Sequence, residues 1–109
     1  MLQDIAGEIF RIPVSASGVG DNTLVAGQAG KSIYVYELIG SNSLAATVSV
    51  KNGSTILDTQ SLQPNQGVTW SVLGNMEGVP RFKTAPGSSF ILNLSAGTFT
   101  GGLVYAFRE

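Results

Sequence analysis

Cysteine and histidine are both absent from the 109 residues, and charge is scarce: six basic and seven acidic side chains leave a net charge of -1. Each absence removes a class of chemistry. Without cysteine there is no disulfide framework, no thiolate nucleophile and no thiolate zinc site. Without histidine there is no Ser-His or Cys-His catalysis and no imidazole-ligated metal. A balanced 12% of charged residues offers no electrostatic footprint for nucleic acid or an anionic membrane. No apolar run approaches the roughly 20 residues that cross a bilayer as a helix. Residues 1–14, MLQDIAGEIFRIPV, carry two acids and lack a basic start followed by an apolar block, so they do not read as a signal peptide. The expectation is a single domain without catalysis, cofactor or metal, acting through its surfaces.

Turn-forming residues, by contrast, are dense and regularly spaced. They cluster at 15–22 (SASGVGDN), 27–31 (GQAGK), 40–43 (GSNS), 52–54 (NGS), 63–67 (QPNQG), 74–78 (GNMEG), 85–89 (APGSS) and 97–102 (GTFTGG). The intervening segments have strand length, and several alternate with period 2. In 32–39, Ile33, Val35 and Glu37 fall on one face and Tyr34, Tyr36 and Leu38 on the other. Val48 and Val50 share a face, as do Val68, Trp70 and Val72, then Phe90, Leu92 and Leu94, and finally Leu103, Tyr105 and Phe107. No window holds helical periodicity free of glycine; the best helical stretch, LQDIAGE, is weakened by Gly7. Strands are therefore expected at 9–14, 22–27, 32–39, 45–51, 54–58, 67–73, 80–84, 89–95 and 102–108. The pair Asn52-Gly53 signals a type I′ hairpin turn. Their spacing implies an all-β, antiparallel sandwich of jelly-roll type, with residues 1–8 as an N-terminal arm and 9–109 as the sandwich domain.

Several short motifs point to chemistry and fail on context. GQAGKS (27–32) resembles the end of a phosphate-binding loop, but the required earlier glycine is Val25, and a strand follows instead of a helix. Lys31 then reads as a solvated charge at a strand start. Gly18 and Gly20 supply half of a dinucleotide fingerprint without its third glycine. Asp21 and Asn22 lack the further acids of a calcium loop, and Asp21 is expected to cap its own turn. Asn52-Gly53-Ser54 and Asn93-Leu94-Ser95 match the glycosylation sequon but accompany no secretion signal. The carboxylates Asp4, Glu8, Asp21, Glu37, Asp58, Glu77 and Glu109 form no cluster in sequence. Trp70 shares parity with Val68 and Val72, which directs it into the core. Tyr34 and Tyr36 form an aromatic pair suited to a subunit or glycan contact.

The polar surface is mostly uncharged: 31 residues are Ser, Thr, Asn or Gln, against 13 charged ones. An ordinary soluble monomer keeps roughly 25–35% of its surface charged. Uncharged hydroxyls and amides suit a protein held in an assembly, where contacts form at little desolvation cost. The stretch Met1 to Phe10, with the apolar residues Leu2, Ile5, Ile9 and Phe10, is a candidate arm for gripping a partner; the alternatives are a frayed terminus or an extra edge strand.

The order of segments brings a resemblance. The runs DNTLVAGQAGKSIYVYELI, ATVSVKNGSTIL, SLQPNQGVTWSVL, RFKTAPGSSFILNLSAG and GGLVYAFRE resemble small all-β proteins of tailed bacteriophages over about residues 21–107. That resemblance implies a virion component on the outer capsid surface, made in the host cytoplasm. It implies a capsid decoration or cement protein that binds the major capsid protein and itself as a homo-oligomer, a trimer. The alternative is a head-fibre or spike module recognising a glycan. Neither implies a nucleic-acid or membrane partner.

Overall fold

Short alternating segments between tight turns bury their apolar side by pairing into sheets and stacking two sheets face to face. The computed structural model, which describes residues 9–72 and 80–109, has this form. The described residues make nine strands and no helix: β1 (Phe10–Ala16), β2 (Gly20–Val25), β3 (Ser32–Asn42), β4 (Ala46–Asn52), β5 (Thr55–Leu62), β6 (Gly67–Ser71), β7 (Phe82–Lys83), β8 (Phe90–Leu94) and β9 (Phe99–Arg108). One antiparallel sheet runs β1-β9-β3-β6, with β7 pairing the part of β3 that β6 leaves free, and the other runs β2-β8-β4-β5. With β7 set aside, the pairs β1/β9, β2/β8, β3/β6 and β4/β5 are nested. The chain is in effect one long hairpin, rolled so that its arms contribute to both sheets, with its tip at the β4–β5 turn. This is the wrapping of a jelly roll, and the expected sandwich is what the chain forms.

The core lies between the sheets. Ile33, Val35 and Leu38 from β3, Trp70 from β6, Phe99 and Leu103 from β9 meet Val48 and Val50 from β4 and Phe90, Leu92 and Leu94 from β8, all essentially without solvent exposure. Each contributes roughly 1.5–3 kcal/mol of burial. The expected alternation holds through β8 and in most of β9. It breaks in β3. Val35 faces Tyr105 and Glu37 faces Val104, so Tyr36 is an extra residue in a bulge. One inserted residue reverses the parity of the remainder of the strand. Leu38 therefore joins Ile33 and Val35 in the main core, while Tyr36 packs with Val104 and Ala106 in a small buried cluster on the outer side of that sheet. Glu37 accordingly leaves the face it was expected to share with Ile33 and Val35.

The hairpin at Asn52-Gly53 is also corrected in detail. Asn52 pairs Thr55, so the two loop residues are Gly53 and Ser54. Of these only Gly53 has a positive φ, 59°. Those signs belong to a type II′ turn, which needs glycine at its first central position, and not to type I′.

Candidate functional site

The outer face of β2-β8-β4-β5 carries most of the exposed polar side chains of that sheet. Antiparallel register places its side chains in three rows across the strands. The first contains Thr23, Ile91, Lys51 and Ile56; the second Asp21, Asn93, Ser49 and Thr59; the third Ser95, Thr47 and Ser61. Adjacent members bond to each other. Asn93 Nδ2 donates to Asp21 Oδ1 at 2.7 Å, and the Ser49 and Thr59 hydroxyls share a bond at 3.0 Å. The backbone N–H of Thr47 donates to Ser95 Oγ at 2.8 Å. The only charges in these rows neutralise each other, because Lys51 Nζ reaches both oxygens of Asp21 at 3.0 and 3.1 Å. The Asn93 bond and then the Lys51 bond hold the Asp21 carboxyl below its ordinary pKa. The result is a face of zero net charge in which two rows of mainly hydroxyl and amide groups, tied by cross-strand bonds, lie beside a row that holds Ile91 and Ile56.

A second polar constellation joins the two sheets. Asp58 sits on β5 at the end of one sheet, and Trp70 lies on β6 at the end of the other. The buried indole Nε1–H donates to Asp58 Oδ2 at 2.7 Å. Arg81 approaches the same oxygen at 3.7 Å and lies over the Phe82 ring, 4.5 Å from its centroid. Phe82 in turn meets Trp70 edge-on at 6.0 Å. The indole bond is the main cause holding the Asp58 carboxyl below the usual carboxylate range. This seam is structural. It satisfies the one polar atom of a core tryptophan and reads chemically as a clasp.

The residues singled out from sequence are scattered. Tyr36 has no exposed surface, so of the tyrosine pair only half-buried Tyr34 presents ring area, and the Lys83 ammonium covers part of it at 5.3 Å from the centroid. Ile9 is half-buried against Tyr36, Val104 and Ala106, and Phe10 opens β1 opposite Tyr105. Both belong to the sandwich and not to a free arm. Leu2 and Ile5 lie outside the described residues, as do Asp4, Glu8 and Glu77. Asp21 is a strand residue bound to its neighbours, and Asn22 caps the turn instead, donating to Gly18 O at 2.8 Å and Gly20 O at 3.2 Å. Among the described residues no three acidic side chains gather into a metal-binding group.

Two features are invisible in the linear sequence. The rows require knowing which strands are neighbours. So does an aromatic group in which half-buried Phe10, Tyr105 and Phe107 pack together with ring centroids 5.1 to 6.2 Å apart. The parity of Tyr105 and Phe107 was legible; the β1–β9 register that brings Phe10 to them was not.

No family model, curated protein or solved structure matches this chain.

Proposed function

We propose that the chain is a non-enzymatic structural protein of a virion, a decoration protein that binds the outer capsid shell as a homo-oligomer and stabilises it. The observation that carries the reading is the outer face of β2-β8-β4-β5, where rows of hydroxyl and amide groups lie beside Ile91 and Ile56 and the two charges cancel. A face of this kind meets another protein surface without stripping water from isolated charges. The proposed partners are the major capsid protein and further copies of the chain, in a trimer. Neighbouring capsomers pull apart under internal pressure, and weak contacts repeated by symmetry resist this through effective concentration. Residues 1–8, with Leu2 and Ile5, are the proposed shell-gripping arm. Ile9 and Phe10 root it in the sandwich through their packing on Tyr36 and Tyr105.

A second reading, a head-fibre or spike module that binds glycan, is favoured by one observation. Phe10, Tyr105 and Phe107 leave part of an aromatic group at the surface, where sugar rings stack. Co-sedimentation with empty tailed-phage heads separates the two. The decoration reading predicts saturable binding that is lost when residues 1–8 are deleted from an otherwise folded chain. Full occupancy after the deletion removes the arm. No binding to heads together with recognition on a glycan array overturns the decoration reading in favour of the spike.

A further inference from the structure

A jelly roll has four sheet edges, and an edge strand invites pairing with another chain unless something blocks it. Three of the edges here are blunted. β1 carries Pro13 and Arg11. β2 is six residues long, bears Asp21 and is bulged between Thr23 and Val25. The opposite edge of the first sheet is divided between the five residues of β6 and the two of β7. The fourth edge, β5, is the longest. It too bears an aspartate, whose Oδ1 accepts from the Thr59 backbone N–H at 2.9 Å, and it is bulged at Leu57, but Asp58 to Leu62 run regularly. It has eight residues, TILDTQSL, with no proline and no lysine, and among the described residues its backbone pairs on one side only, with β4. Thr55, Ile56, Thr59, Gln60 and Ser61 are exposed, Ile56 at 60%.

We propose that this edge pairs with β5 of a second copy, antiparallel about a two-fold axis, joining two four-stranded sheets into one of eight strands. The register follows from the strand itself. The irregularity opposite Val50 and Lys51 leaves Leu57 without a partner on β4, whereas Asp58 to Leu62 run regularly against Val50 to Ala46. An axis through the middle of that regular stretch sets Gln60 against the second copy's Gln60, Thr59 against its Ser61 and Asp58 against its Leu62. No like charges meet, because the strand's one charge, Asp58, faces a leucine and is already bonded to Trp70. The outer rows of hydroxyls then continue without interruption from one copy to the other. A two-fold contact uses a different surface from a three-fold one, and this inference stands apart from the shell-binding reading.

The absence of native cysteine makes the test direct. A single Gln60→Cys substitution places two thiols across the axis, roughly 5 Å apart at Cβ. Thr55→Cys, five residues away along the strand, places them about 33 Å apart. Under diamide, which takes up the two electrons and two protons released as the thiols join, Gln60→Cys is expected to form a covalent dimer at least tenfold faster than Thr55→Cys. Adding Ile56→Lys and Ser61→Lys, both at exposed positions, should abolish that crosslink and halve the mass measured by sedimentation in the micromolar range, with the far-ultraviolet circular dichroism of the folded chain unchanged. Equal crosslinking at 55 and 60 overturns the proposal. So does crosslinking that survives the lysines, or a cysteine-free chain with the mass of its lysine variant.

Discussion

Removing the Asp58 carboxylate tests how the two sheets are held together at the β5–β6 seam. In Asp58→Ala the Trp70 indole N–H, in a residue only 2% exposed, loses its acceptor at 2.7 Å. Leaving a buried donor unpaired costs about 1–3 kcal/mol. The Asp58 side chain retains 31% of its surface, so water reaches the vacated space and the lower half of that range applies, about 1–2 kcal/mol. In a domain of this size that lowers Tm by roughly 5–10 °C. Trp70→Phe removes the donor and part of a core side chain, at about 2–4 kcal/mol. In the Trp70→Phe background, Asp58→Ala should then cost under about 0.5 kcal/mol, giving a coupling near 1 kcal/mol in the double-mutant cycle. Urea unfolding followed by far-ultraviolet circular dichroism measures all four corners. A coupling indistinguishable from zero would refute the clasp.

The same seam sets part of the acid response. The Asp58 pKa is lowered in the folded state, chiefly by the Trp70 bond, so its stabilisation is complete above the ordinary carboxylate pKa of about 3.9 and fades as pH falls through the folded value. Wild type should exceed Asp58→Asn by a constant margin near neutrality, and the margin should close in acid; urea midpoints across pH read this. Asp21→Asn should lower the urea midpoint only slightly at neutral pH, because the Asp21 side chain is about half exposed, and that small margin should vanish in acid. Gly101→Ala should abolish folding or cost more than about 3 kcal/mol, since its Cβ would overlap the backbone carbonyl of Ile39; circular dichroism and expression of soluble protein report the outcome. Native Trp70 fluorescence should be blue-shifted and move to the red in denaturant, and a red native maximum would contradict its core position.

Period-2 alternation made Trp70, Val48, Val50 and the Phe90–Leu92–Leu94 series readable as core, because in a sandwich one face of each strand must be buried. The glycine and asparagine clusters located the turns because these residues accept the positive φ that tight turns need, as at Gly53 and Asn65. What alternation cannot convey is an extra residue. The Tyr36 bulge moved Leu38 inward and hid the tyrosine expected at a contact surface. Its cause lies in the pairing of β3 with β9, more than sixty positions apart in the chain. The contact face was illegible on the same grounds. Asp21, Asn93, Ser49 and Thr59 become one row only after β2, β8, β4 and β5 are laid side by side. The bias toward uncharged polar residues was visible beforehand, and the structure gives part of it a location.

Cryo-electron microscopy of empty tailed-phage heads mixed with excess chain tests the proposed shell-binding role most directly. The account predicts added density of one sandwich per subunit at symmetry-related junctions between capsomers, with occupancy that saturates across the shell. Bare junctions, or density confined to a few vertices, would contradict it.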